Sequence, residues 1–366
     1  MHVLHVVGAR PNFMKVAPVL RALRARPGVR QTLLHTGQHY DANMSDIFFQ
    51  QLDIPAPDVF LGVGSGTHAQ QTAQVLVKFE EALLARRPDW VLVYGDVNST
   101  VAAALVCAKL GVPVAHVEAG LRSFDRTMPE EINRVVTDQL ADLLLTPSAD
   151  GDANLLREGI PPQRIHRVGN VMIDTLVRLL PQARLPALPL TKPFALVTLH
   201  RPSNVDDSET LRRILTTLVE LSERCQMVFP VHPRTRQRIA DLRLPLPHDH
   251  RFLLLEPLGY VECLALQQHA AAIITDSGGI QEESTYLGVP CLTLRQNTER
   301  PITVTEGTNT LIGGDMDRLR RELEQILAGQ GKRGRKPALW DGCASERIAD
   351  VLLRTAQQPL LAHRAA

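Results

Sequence analysis

Short β-branched apolar runs alternate with helix-period segments along nearly the whole chain. In the first half, residues 2–7, 31–35, 90–94, 114–117 and 143–145 read as strands, each ending close to a Gly, Pro, Asp or Glu. Helical spacing follows over 13–26 and 100–110. After Gly169 the pattern restarts, with strands expected at 195–199, 227–231, 252–255, 272–275, 291–294 and 310–312. Between the halves, residues 181–193 carry prolines at 181, 186, 189 and 193, which disfavour a helix and mark a surface connection. The pattern shows neither a solenoid-period repeat nor a low-complexity tract. Alternation on this scale predicts an α/β protein: two Rossmann-like domains with helix-covered parallel sheets, spanning about 1–169 and 170–343.

Ligands of such sheets bind beyond the carboxyl ends of the strands. Those positions hold Arg10, Gln38, His39, Asp96, Glu118, His200, Arg201, His232, Glu256, Asp276, Ser277 and Arg295. Polar side chains gathered there from both halves imply a cleft between the two domains.

Composition narrows the classes. The 366 residues are 44% hydrophobic and 22% charged, enough for two full cores. Forty Lys and Arg against 39 Asp and Glu leave no general attraction to nucleic acid. The one dense basic run, Lys332, Arg333, Arg335 and Lys336, reads as a solvated Gly-rich loop. No stretch approaches 18 consecutive apolar residues, and the first residues enter a strand without a charged leader, so a soluble cytoplasmic chain is expected. Cys107, Cys225, Cys263, Cys291 and Cys343 are odd in number and widely spaced, which argues for reduced thiols over disulfides or a thiolate zinc site.

Several strings carry chemistry. Asp276-Ser277-Gly278-Gly279-Ile280-Gln281-Glu282-Glu283 follows a strand and opens a helix. Two glycines let backbone N–H groups approach an anion and the helix start adds its dipole, so a diphosphate fits, and a carboxylate one turn in suits a ribose diol. The plainer reading is a capped turn, with Ser277 as N-cap. Gly8-Ala9-Arg10-Pro11 is not the dinucleotide fingerprint, no P-loop occurs, and Gly62, Gly64 and Gly66 lack a preceding strand, which argues against a nicotinamide cofactor. Arg10 and Lys15 are five apart at a strand–helix junction, where both are expected to face one cleft. His200 and His232 add donors from the second half. Asp96 reads as a helix N-cap or an acid, and Glu130 as a first-turn acid or a catalytic one. Glu118, just past an apolar strand, seldom serves packing. Together the three form a carboxylate cluster suited to moving a proton. Their spacing with His116, His39 or His232 matches no metal-ligand signature.

Gly8 to Val19, Thr36-Gly37-Gln38-His39, Gly95 to Thr100, His116-Val117-Glu118-Ala119-Gly120-Leu121-Arg122, Pro129 to Arg134, Leu199-His200-Arg201, Thr275 to Glu283 and Thr298-Glu299-Arg300-Pro301 stand in this order. In this the chain resembles the non-hydrolysing UDP-N-acetylglucosamine 2-epimerases over almost its whole length. The resemblance implies the two-domain fold of GT-B glycosyltransferases, with a C-terminal helix near 344–366 returning to the first domain. It also implies a homodimer that interconverts UDP-GlcNAc and UDP-ManNAc without added cofactor. Carried over by position, Arg10, His200, Ser277, Gly278, Gly279 and Arg300 would hold substrate, chiefly its diphosphate, and Glu283 the ribose. Lys15, Asp96, Glu118 and Glu130 would surround the sugar. Gln38, His39 and His232 match part of a second, activating substrate site, whereas Gly64-Ser65-Gly66-Thr67-His68 stands where such members carry an arginine. Gly8-Ala9-Arg10-Pro11-Asn12-Phe13, and the stretches 35–49 and 123–133, also resemble the branch acting on UDP-2,3-diacetamido-2,3-dideoxyglucuronate, so the substituents at sugar C3 and C5 stay open.

Overall fold

The parallel sheets the alternation predicts are both present in the computed structural model, which describes residues 1–38, 51–191, 193–247 and 249–356. The first sheet comprises β1 (His2–Val7), β2 (Arg30–His35), β3 (Val59–Phe60), β4 (Trp90–Tyr94), β5 (Val114–Val117), β6 (Leu143–Thr146) and β7 (Ile165–Arg167). Their order is β3-β2-β1-β4-β5-β6-β7, every pairing parallel. Strands β1, β4, β5 and β6 are buried at every position, which explains why they read as largely apolar runs without alternation: helices cover both faces. The second sheet comprises β8 (Phe194–Thr198), β9 (Gln226–Pro230), β10 (Phe252–Leu255), β11 (Ala272–Thr275), β12 (Cys291–Thr293) and β13 (Asn309–Leu311), in the parallel order β10-β9-β8-β11-β12-β13.

Strand order reverses between β1 and β4 in one sheet and between β8 and β11 in the other, the switch points where such sheets bind ligands. Strand ends fall within two residues of the sequence expectation, but β3 and β7 are absent from it. Two residues, or Ile-His-Arg, carry no periodicity; only pairing to β2 and to β6 makes them strands.

Internal contacts divide the chain into Met1–Thr175 with the stretch from Ala338, and Leu176–Pro337. The division falls inside the helix Val171–Leu179, and the proline-rich stretch 181–193 belongs to the second unit. In the first unit the helix Ala344–Ala356 packs on Arg10–Arg24, where Arg26 pairs with Glu346 and Asp350 at 3.0 and 2.7 Å. The Asp174 carboxylate accepts the Ala344 and Ser345 N–H groups at its start, satisfying orphan helix donors. In the second unit the basic run is not simply solvated. Lys332 Nζ donates to the carbonyls of Val304 and Asn309, Arg335 Nε pairs with Glu306 at 3.1 Å, and Lys336 lies 3.7 Å from the Tyr286 ring centre, so three of its four cations have partners.

All five cysteines are free thiols, with Cys107, Cys225 and Cys291 buried. Among the described residues, no helix is long and apolar enough to cross a membrane.

Candidate functional site

At the first switch point, β1 and β4 end side by side and Asn12 ties their loops together. Its Oδ1 accepts the N–H groups of Gly8 and Ala9 at 3.0 and 3.1 Å, while its Nδ2 donates to the Tyr94 carbonyl at 2.9 Å. Lys15, one turn further along the same helix, is buried and donates to Glu118 Oε1 at 2.7 Å. Arg10 opens that helix and is exposed. The two side chains leave the helix about 140° apart, one exposed and one buried. Glu118 follows β5 with φ of 76°, a left-handed conformation that costs a residue other than glycine of order 1–3 kcal/mol and concentrates at functional sites.

Asp96 is not a helix cap: Val97 holds that position, and Asp96 Oδ2 instead pairs with Arg134 Nη2. Arg134 also pairs with Glu131, whose carboxylate accepts the Ser123 and Phe124 N–H groups at 2.9 and 2.8 Å. Glu130, the preceding residue, is exposed at the second position of the helix Pro129–Leu140. That helix is inverted relative to an ordinary surface helix. Glu131, Arg134 and Asp138 are buried along one face, while Ile132 and Val136 face outward. Asp138 accepts from His116 Nδ1 at 2.6 Å and from the Gly120 N–H at 3.1 Å, and pairs with Arg122 Nη1 at 2.7 Å. Burial alone would raise its pKa; His116 and Arg122 more than reverse this and hold the carboxyl below its ordinary range.

At the second switch point, Asp276 follows β11 beside the end of β8. Its buried carboxylate accepts the backbone N–H groups of His200 and Arg201, the Asn204 amide and His200 Nδ1, the last at 2.9 Å. Burial pushes the Asp276 pKa up, but the bond from His200, its charge and these donors bring it below the usual value. With Nδ1 held, the other nitrogen of the half-exposed His200 ring is available to a ligand. Ser277 sits at the N-cap of the helix Gly278–Leu287, yet its hydroxyl makes no cap bond, leaving that helix start open to an anion. A Cβ on Gly278 would lie 2.5 Å from Arg300 Nη1, so the bare backbone is what lets the guanidinium approach the helix start. Gly279 follows in the first turn. Arg300 is buried against Glu282 and Glu299. Glu283 is buried as well, accepting from Tyr260 OH at 2.8 Å and Gln267 Nε2 at 2.7 Å; burial raises its pKa against these two bonds. Each of its oxygens keeps a second lone pair for a diol.

Of the residues expected of a second substrate site, Gln38 belongs to the first unit and His232 to the second. Gln38 is buried with Oε1 accepting the Ser99 N–H and hydroxyl at 3.0 and 2.7 Å, and His232 is exposed two residues beyond β9. His39 lies outside the described residues. Among the described residues, no three His, Cys, Asp or Glu side chains converge as metal ligands would. Asn12, Glu131, Arg134, Asp138 and Tyr260 are not among the residues that strand ends and strings single out. The signal for three of them was legible as charges at i, i+3 and i+7 on one helix whose other face carries Ile132 and Val136.

The doubly repeated 3-2-1-4-5-6 strand order, a buried Lys–carboxylate pair at one switch point and a cation-lined helix start at the other define a Rossmann-like α/β enzyme for an anionic substrate. The family profile described as UDP-N-acetylglucosamine 2-epimerase matches residues 21–353. A UDP-N-acetylglucosamine 2-epimerase of Methanocaldococcus jannaschii is 42% identical over 95% of this chain and 97% of that one. The crystal structure of M. jannaschii UDP-GlcNAc 2-epimerase in complex with UDP-GlcNAc and UDP superposes with a TM-score of 0.88 at 42% identity, covering 97% of this chain and 100% of that one. The UDP-2,3-diacetamido-2,3-dideoxy-D-glucuronate 2-epimerase of Pseudomonas aeruginosa is likewise 42% identical, over 97% of this chain and 100% of that one. The chain belongs to the UDP-N-acetylglucosamine 2-epimerase family, and thereby to the isomerases.

Proposed function

We propose that this protein interconverts UDP-GlcNAc and UDP-ManNAc by inverting C2 of the sugar. The observation that carries the reading is the buried Lys15–Glu118 pair on a strained residue at the end of β5, in a chain of this family. The C2 hydrogen of a hexose has no neighbouring carbonyl to acidify it. Breaking the C1–O bond supplies the missing drive: the bonding pair leaves with the diphosphate oxygen, and C1 gains oxocarbenium character. A carboxylate then takes the C2 proton, and the C–H pair becomes the C1=C2 bond of a 2-acetamidoglucal. Return of a proton to the opposite face of C2, and of UDP to C1, completes inversion. Asp96, Glu118 and Glu130 are the carboxylates of this cycle, with Lys15 beside the sugar. Arg10, His200, Arg300 and the amides of Ser277, Gly278 and Gly279 stabilise the departing diphosphate, while Glu283 holds the ribose.

Incubation with UDP-GlcNAc in deuterated water, followed by NMR, tests the cycle. UDP-ManNAc accumulating with deuterium at C2 is the expected result; free sugar plus UDP, or no exchange, would sink it. The similarity to the P. aeruginosa enzyme favours a second reading, UDP-2,3-diacetamido-2,3-dideoxyglucuronate as substrate. The two UDP-sugars are told apart by kcat/KM measured side by side, where the physiological one should lead by roughly tenfold or more.

The enzyme is further read as a cytoplasmic homodimer. Its free cysteines suit a reducing compartment. Val77 and Leu84 on the helix His68–Arg86, with Ile132 and Val136, are exposed apolar side chains on helices that flank Asn98–Leu110. Light scattering should return about twice the 40.5 kDa chain mass, and Val77→Asp with Ile132→Asp should return the single-chain mass; a monomeric native protein sinks this.

A further inference from the structure

We propose that Asp138, a buried carboxylate that no ligand need touch, is the positioning residue that fixes the spacing of two reacting carboxylates, Asp96 and Glu118. The inference rests on the reading of those two as acid/base groups. Asp138 reaches both loops by separate arms. Through His116 it controls the Gly95 carbonyl: the ring bonds Asp138 at Nδ1 at 2.6 Å and Gly95 O at Nε2 at 2.7 Å, and that carbonyl belongs to the peptide entering Asp96. Directly, it accepts the Gly120 N–H at 3.1 Å, two residues past Glu118. A third arm, to Arg122 Nη1 at 2.7 Å, is continued by Arg122 Nε and Nη2 to Glu158 at 2.7 and 2.6 Å, which anchors the end of the same loop.

Glu118 is left-handed without being glycine, so its conformation must be imposed by its surroundings. Clamps on the two segments flanking the site, converging on one carboxylate, supply that constraint. Both ring nitrogens of His116 face oxygen acceptors, so the ring works here as a bridge and holds neither nitrogen toward substrate. The inverted helix now has a reason. Its charged face carries Asp138 for these loops, and Arg134 for the Asp96 side chain itself.

The test compares native protein with Asp138→Asn, Glu118→Gln and the double variant, reading kcat, KM and the rise in melting temperature on adding UDP. Asp138→Asn keeps the side-chain shape. We expect it to lower kcat by roughly 100-fold, since about 1 Å of misplacement costs that much, with KM within about threefold and the UDP-induced rise retained. In the Glu118→Gln background the same change should cost clearly less than its full 100-fold, because one of the two groups it positions is already disabled. Native kcat in Asp138→Asn, or losses that multiply in the double variant, would overturn the inference. If Asp138→Asn loses the UDP response, His116→Gln carries the test, since it cuts only the Gly95 arm: kcat lower by roughly tenfold at unchanged KM supports the role, and native kcat overturns it. Native turnover in Glu118→Gln alone would instead overturn the acid/base reading on which the inference stands.

Discussion

Glu118→Gln lowers turnover by roughly 10²–10⁴-fold, the range spanned by loss of a positioned general acid or base. Three features make Glu118 the carboxylate with the largest expected effect: it is buried, it is 2.7 Å from Lys15 Nζ, and it occupies a strained backbone position. Glutamine keeps an oxygen that accepts from Lys15, so the ammonium is not abandoned. Removing one partner of a buried pair outright costs about 3–5 kcal/mol, and the amide escapes much of that. The residues proposed for the diphosphate and ribose on the second sheet are untouched, so the variant should still gain thermal stability on adding UDP. Initial rates with UDP-GlcNAc and melting curves with and without UDP decide the matter. Turnover within a few-fold of native would remove Glu118 from the chemistry.

Gly120→Ala has the largest expected effect on folding. Gly120 has φ of 81°, and a Cβ there would lie 2.5 Å from the carbonyl oxygen of Gly151 and 2.9 Å from its Cα. The obstacle is backbone at the start of the helix Ala149–Arg157, which cannot swing aside as a flexible side chain would. Left-handed strain of about 1–2 kcal/mol adds to overpacking of about 1–3 kcal/mol. The sum, about 2–5 kcal/mol, is a large part of the 5–15 kcal/mol typical of a folded domain. Denaturant titration should show the unfolding free energy lowered by that amount, the midpoint falling in proportion, and activity lost with it because the Gly120 N–H anchors the Glu118 loop to Asp138. A native midpoint would mean that the loop and helix can separate at little cost.

The fold was legible because strands buried on both faces leave nearly unbroken apolar runs, and these need no partner to be recognised. Where pairing and not pattern made the strand, as at β3 and β7, there was no local signal. The site divides in the same way. Asp96, Glu118, His200 and Ser277 stood out as candidates because a parallel sheet puts its chemistry just past strand ends, and Lys15 by its spacing from Arg10. Asp276 was legible as a strand-end residue too, but its work as acceptor for His200, Arg201 and Asn204 depends on β8 lying beside β11. Glu130 and Glu131 are adjacent acids with equal claims in the sequence. A helix turns about 100° per residue, so one is exposed and the other is buried against Ser123 and Arg134.

The sequence by itself determined the α/β class, the strand ends where the chemistry lies and the membership of the family, since all three are written in local pattern or contiguous strings. Which charges meet was decided only by the tertiary structure. Lys15 reaches Glu118 across 103 positions, and Asp138 reaches His116 across 22. Short-range periodicity says which face of an element is inward, whereas the partner waiting there is set by strand order and packing, which no local pattern encodes.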